Sequence, residues 1–106
     1  MPYFDFDHLS LRDFRPGIKS AAHFGEQIIL AVMNIDGGKA DAGHTHPFEQ
    51  CGLVLEGSFS MTIGGESRTL KPGQGYFVPA GVLHGWSTEN GPVRILDVSA
   101  KPPAAA

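Results

Sequence analysis

The chain has 106 residues, a net charge of −3 and one cysteine. That length supports one domain with its own core, and the weak acidic balance leaves no basic footprint for nucleic acid. A lone Cys51 excludes an internal disulfide, and no run approaches the ~18 apolar residues of a membrane helix.

Residues Met1 to Arg15 mix aromatic and acidic side chains and read as an arm with room for one short strand. The arm lacks a cationic n-region and a long apolar stretch, so the reading is no signal peptide and a cytoplasmic protein. The chain holds fourteen glycines and eight prolines, and most of them punctuate a series of short extended segments after the arm. Gln27 to Ile35 is rich in Ile and Val, and Gly37-Gly38 breaks it. Cys51 to Glu56 is a second apolar run, ended by Gly57. Phe59, Met61 and Ile63 alternate with Ser58, Ser60 and Thr62, the period of a half-buried strand. Gly64-Gly65 signals a two-residue hairpin, from which Glu66 to Leu70 returns antiparallel. Pro72-Gly73 is another turn, and Tyr76 to Val78 is a short strand stopped by Pro79. Val82 to Ser87 and Val93 to Ser99 complete the series, and 101–106 has little to pack and should fray. No helix is signalled. Short strands at regular spacing imply a sandwich or barrel, and a jelly roll protects sheet edges at this size.

The chemistry concentrates in the run from Gly43 to Gly57. Alternate residues of an extended strand share a face, so His44 and His46 can point the same way. Gln50 stands at an even offset from both and can join them, and His84 answers from later in the chain. Imidazole nitrogen and amide oxygen are competent ligands for divalent metals. A glutamine ligand adds no charge and cannot act as a base. A metal on such a site keeps its full charge and favours polarising a substrate oxygen over activating dioxygen.

If Gln50 cannot take a proton, another group must. Asp97 is the candidate, because it lies in the apolar strand Val93-Arg94-Ile95-Leu96-Asp97-Val98, where a carboxylate is costly to bury unpaired. The plain alternative is a salt bridge to Arg94 or Arg68. Trp86 follows His84 by two residues and shares its face in a strand. Phe59 and Met61 read as barrel lining, and Tyr76 as a possible proton donor. His8, His23, Glu49 and Glu56 read as surface residues, and Cys51 as a buried apolar one.

Two spaced motifs resemble those of the cupins, small double-stranded β-helix proteins. The first, G-x5-H-x-H-x3-E-x6-G, reads Gly38, His44, His46, Gln50 and Gly57, with Gln50 where Glu is commoner. The second, G-x5-P-x-G-x2-H-x3-N, reads Gly73, Pro79, Gly81 and His84, then Thr88 in place of Asn. The resemblance implies an all-β jelly-roll barrel over 1–106, with the motifs at 38–57 and 73–88. It implies metal ligands at His44, His46, Gln50 and His84, and commonly a homodimer. The metal expected is Zn, Ni, Mn or Fe. The run from Gly43 to Cys51 is similar to the cupins that linearise unsaturated uronic acids from pectin and alginate. Their last strand carries Asp, then an aromatic and an Arg, where this chain has Asp97, Ser99 and Pro103. His44-Thr45-His46-Pro47 with a Gln ligand also looks like the manganese cupins that cleave cyanohydrins. The expectation is a metal-dependent isomerase or lyase with a small sugar acid or hydroxy-carbonyl substrate. Its alternative is a non-catalytic cupin that binds or senses a small molecule.

Overall fold

The computed structural model describes residues 3–101, and the expectation of a frayed end at 102–106 lies outside them. Those residues form ten strands and no helix: β1 (Arg12–Arg15), β2 (Ile18–Phe24), β3 (Ile28–Ile35), β4 (Ala40–His44), β5 (Gln50–Glu56), β6 (Phe59–Ile63), β7 (Glu66–Leu70), β8 (Gly75–Val78), β9 (His84–Ser87) and β10 (Val93–Ala100). They pair into a six-stranded sheet, in the order β1-β2-β3-β10-β5-β8, and a four-stranded sheet, in the order β4-β9-β6-β7. All pairings are antiparallel. The all-β architecture read from the sequence is the one observed.

The inner faces of the two sheets make one core. Val54 and Val78 of the large sheet are fully buried, and Phe59 and Met61 of the small sheet pack against them. Alternation along β6 works as the sequence indicates, with Phe59 and Met61 inward and Thr62 exposed. The hairpin also forms as read, with Ile63 opposite Glu66 across Gly64-Gly65. The motif glycines Gly38, Gly57, Gly73 and Gly81 all hold positive φ, a backbone state that side chains with a Cβ resist. Thr88, standing where the second motif usually has Asn, is fully buried. Its hydroxyl donates to the Asp36 carbonyl at 2.6 Å and accepts from the Lys39 N–H at 3.0 Å, tying β9's end to the start of β4.

Gly52 positions the site in a different way, through space alone. It pairs with Asp97 of β10 on one side and with Tyr76 of β8 on the other. A Cβ there would overlap the Tyr76 ring and hydroxyl and crowd the Leu96 carbonyl oxygen. Tyr76 therefore lies across the bare backbone of β5 to reach Asp97. Gly52→Ala should cost about 1–3 kcal/mol of stability, the usual range for overpacking a filled core. Urea unfolding of the two proteins checks this, and equal midpoints would mean that Tyr76 does not need the gap.

Candidate metal centre

The four expected ligands come from three elements and one connection. His44 ends β4, Gln50 begins β5 and His84 begins β9. His46 lies beyond β4, in the link to β5, so alternation along one strand is not what pairs it with His44. Two local features set the ring directions instead. The β4–β9 register slips between Asp41 and His44, leaving His44 opposite His84. Such bulges re-aim side chains. Gly85 gives the bulge room, since a Cβ there would crowd the Asp41 carbonyl and Gly43 nitrogen. The His46 carbonyl is held by the Gly81 N–H at 2.8 Å, which joins the second motif to the first.

Each imidazole is anchored by Nδ1. His46 Nδ1 is 2.8 Å from the Phe48 carbonyl oxygen, and its ring stacks on the Phe48 ring at 4.1 Å between centroids. His84 Nδ1 is 2.9 Å from the Val82 carbonyl oxygen. His44 Nδ1 is 3.1 Å from Asp41 Oδ2. Carbonyl and carboxylate oxygens only accept, so in the neutral rings these nitrogens carry the hydrogen and Nε2 keeps its lone pair. The three residues lie together, with ligand atoms all within 4.8 Å of one another. Burial opposes ionisation of Asp41, yet the hydrogen bonds from His44 and the Gly43 N–H outweigh it and hold its carboxyl below the ordinary range.

Gln50 is oriented just as firmly. Its Nε2 donates to Asp97 Oδ2 at 2.8 Å, so Oε1 is the atom that faces His46, 3.0 Å from Nε2. Two lone pairs at that distance repel unless a positive charge lies beside them. His84 Nε2 is buried with no hydrogen-bond partner, in a residue only 3 % exposed. Such an orphaned atom is costly. A proton on His46 would meet Oε1 but leave the His84 lone pair unmet. A divalent cation meets all of them, so this donor set fits a metal: His44, His46 and His84 form a group that can hold one, with Gln50 Oε1 beside it. The backbone and carboxylate anchors behind the rings are the usual support of imidazole ligands.

Asp97 is 5 % exposed and forms no salt bridge among the described residues. The alternative pairing with Arg94 or Arg68 is replaced by other contacts: Arg94 donates to Asn34 and the Phe6 carbonyl, and Arg68 pairs with Glu66. Tyr76 donates to Asp97 Oδ2, the same oxygen that Gln50 uses, and Oδ1 has no hydrogen-bond partner among the described residues. Burial pushes the Asp97 carboxyl above the ordinary range, and the bonds from Tyr76 and Gln50 offset this only in part. Burial, then the Asp97 charge, push the Tyr76 phenol far up, so its hydroxyl stays a donor.

The three histidines, Asp41, Gln50, Tyr76 and Asp97 line one cavity of about 280 Å³ between the sheets. Phe59, Met61, Tyr76 and Trp86 are in its wall, as is Ser99. Pro103 lies outside the described residues. Cys51 is half-buried rather than buried, and free. The lining residues that the motifs do not single out include Asp41, Phe48, Phe14 and Arg15. Asp41 at three residues before His44 is the one that a turn-forming Asx pattern points to.

The cupin domain family matches residues 31–99, the span that carries all four candidate ligands and Asp97. The chain is a cupin. The pectin degradation protein KdgF of Dickeya dadantii is 30% identical over 102 residues, covering 93% of each chain. Among solved structures, KdgF from Halomonas sp. superposes with a TM-score of 0.82 at 23% identity, over 96% of this cupin and 94% of that chain. An RmlC-like cupin from Shewanella frigidimarina gives 0.85 at 22% identity, over 98% and 94%. At those identities the two structures speak for the fold.

Elemental analysis of the purified cupin should find near one divalent metal per chain, with His46→Ala and His84→Ala each losing it. Metal retained at wild-type stoichiometry in both variants would remove these residues from the ligand set. The Gln50–Asp97 bond makes a second expectation, for the metal-free protein. Gln50→Glu replaces the donor with a carboxylate facing Asp97 and should cost about 1–3 kcal/mol. Adding Asp97→Asn supplies a donor from the other side and should restore most of that. Thermal melts of the wild type and the two variants read it out, and a double variant no more stable than the single one would uncouple the two positions.

Proposed function

We propose that this cupin is a divalent-metal-dependent isomerase or lyase acting on a small sugar acid or a related hydroxy-carbonyl compound. The observation that carries the reading is the pairing, in one cavity, of clustered imidazole lone pairs with a buried carboxylate whose Oδ1 has no partner among the described residues. The Dickeya dadantii relative is named for pectin degradation, and pectin is built largely from sugar acids. Zn, Ni, Mn or Fe suits a set of imidazole nitrogens and an amide oxygen.

A divalent cation bound there supplies Lewis-acid polarisation of a carbonyl or hydroxyl oxygen. With His44, His46, His84 and Gln50 as its ligands, the protein cancels none of its charge. The set lacks the two-His, one-carboxylate triad of non-haem iron oxygenases, which favours polarisation over oxygen activation. Asp97 Oδ1 would take a proton from the carbon beside the substrate carbonyl, the C–H pair becoming a C=C π bond as the carbonyl π pair moves onto its oxygen. Returning that proton to a different atom of the same skeleton completes an isomerisation. Tyr76 and Gln50, both donating to Oδ2, hold the carboxylate in place and leave Oδ1 as the oxygen for the proton. Phe59, Met61 and Trp86 wall the cavity with apolar surface that limits water at the reacting carbon.

Asp97→Asn tests the assignment, because its amide oxygen can still accept from Tyr76 and Gln50. Turnover of an unsaturated uronate should fall by about 10²-fold or more, as for loss of a general base, with metal content unchanged. Undiminished turnover would take the proton transfer away from Asp97. No turnover by the wild type loaded with any of the four metals would return the cavity to a binding role.

A further inference from the structure

The cavity wall contains one cationic side chain other than histidine, and it comes from the N-terminal arm. Arg15 lines the cavity together with its neighbour Phe14. Adjacent residues of a regular strand face opposite sides. Here the β1–β2 register slips between Asp13 and Arg15, because Asp13 pairs with Lys19 and Arg15 with Ile18. Phe14 is thus the extra residue of a bulge, the device that lets two consecutive side chains reach one pocket. The Arg15 guanidinium carbon stands 5.0 Å over the Phe14 ring centroid, a cation–π contact that steadies it.

Among the described residues no carboxylate pairs with Arg15. The two acids of the cavity are already engaged, Asp97 with Tyr76 and Gln50, Asp41 with His44 and the Gly43 N–H. A guanidinium offers a planar fork of donors that matches a carboxylate in two parallel bonds. We infer that Arg15 is the carboxylate-binding residue of this cavity, holding the acid group of the ligand while the ligand's carbonyl or hydroxyl oxygen faces the histidines. This rests on the reading of the cavity as a sugar-acid site and adds to it the residue that selects the acid over the neutral sugar. The selecting group stands on the bulged edge strand, apart from the strands that carry the metal ligands.

The test compares galacturonate with galactose, which lacks the carboxylate, by calorimetry on metal-loaded protein. Wild type should bind galacturonate at least tenfold more tightly than galactose. Arg15→Gln should lose about tenfold or more in galacturonate affinity and leave galactose binding unchanged. Arg15→Lys should recover only part, since an ammonium is a point charge without the fork. Arg15 is exposed, so melting temperatures should match and rule out a folding defect. Equal losses for both sugars, unchanged galacturonate affinity, or no preference in the wild type would each overturn the inference. Turnover separates it from the proposed reaction. A variant with full galacturonate affinity and full uronate turnover removes Arg15 and leaves the reaction standing. A wild type that turns over no uronate, yet loses galacturonate only when Arg15 changes, removes the reaction and leaves Arg15.

Discussion

A carboxylate buried between two sheets is tolerated only when donors reach it, and Asp97 obtains both of its donors from one side of β10. Gln50 on β5 and Tyr76 on β8 bond the same oxygen. Stripping a carboxylate of water costs several kcal/mol, so this arrangement is under strong pressure to keep its geometry. Three strands of the large sheet are locked in register by one side-chain atom. The lock also points the Gln50 amide, because the nitrogen must face Asp97 and the oxygen is left for the histidines. A glutamate at that position could offer Asp97 no N–H, which gives a physical reason for the departure from the commoner residue.

The histidines are aimed by different means. Two of the three Nδ1 anchors are backbone carbonyls, Phe48 for His46 and Val82 for His84. A backbone anchor places a ring by the path of its own loop and survives most changes of side chain. The loops are stiffened to match, with Pro47 and Pro79 limiting φ and Gly81 donating to the His46 carbonyl. Only His44 relies on a side chain, and Asp41 stands at the slip in register that turns His44 toward His84.

Much of this was legible in the residues. The hairpin at Gly64-Gly65, the alternation of β6 and the apolar runs that became β3, β5 and β10 follow from periodicity and turn chemistry, which are local. The metal-capable group was legible because two spaced motifs report it together. The mechanism inferred for His44 and His46, alternation along one strand, was not the one at work, since His46 sits in a connection. The rest depends on pairings remote in sequence. Nothing near Asp97 announces that Tyr76 crosses Gly52 to reach it, and nothing in residues 12–15 announces that a bulge brings Phe14 and Arg15 to the cavity. Backbone carbonyls such as those of Phe48 and Val82 leave no trace in residue type at all.

Trp86 is the chain's one tryptophan. Its indole lies in the wall of the cavity and packs against Phe59 at 5.7 Å between centroids. The protein therefore carries a built-in optical reporter at the one place where events matter. Paramagnetic ions such as Mn, Ni or Fe quench indole emission at short range, while Zn, with a filled d shell, leaves it bright. A ligand that displaces water from the wall shifts the emission to shorter wavelength. Any metal loading or ligand entry at this cavity would thus be followed in unlabelled protein, with no second tryptophan to blur the signal.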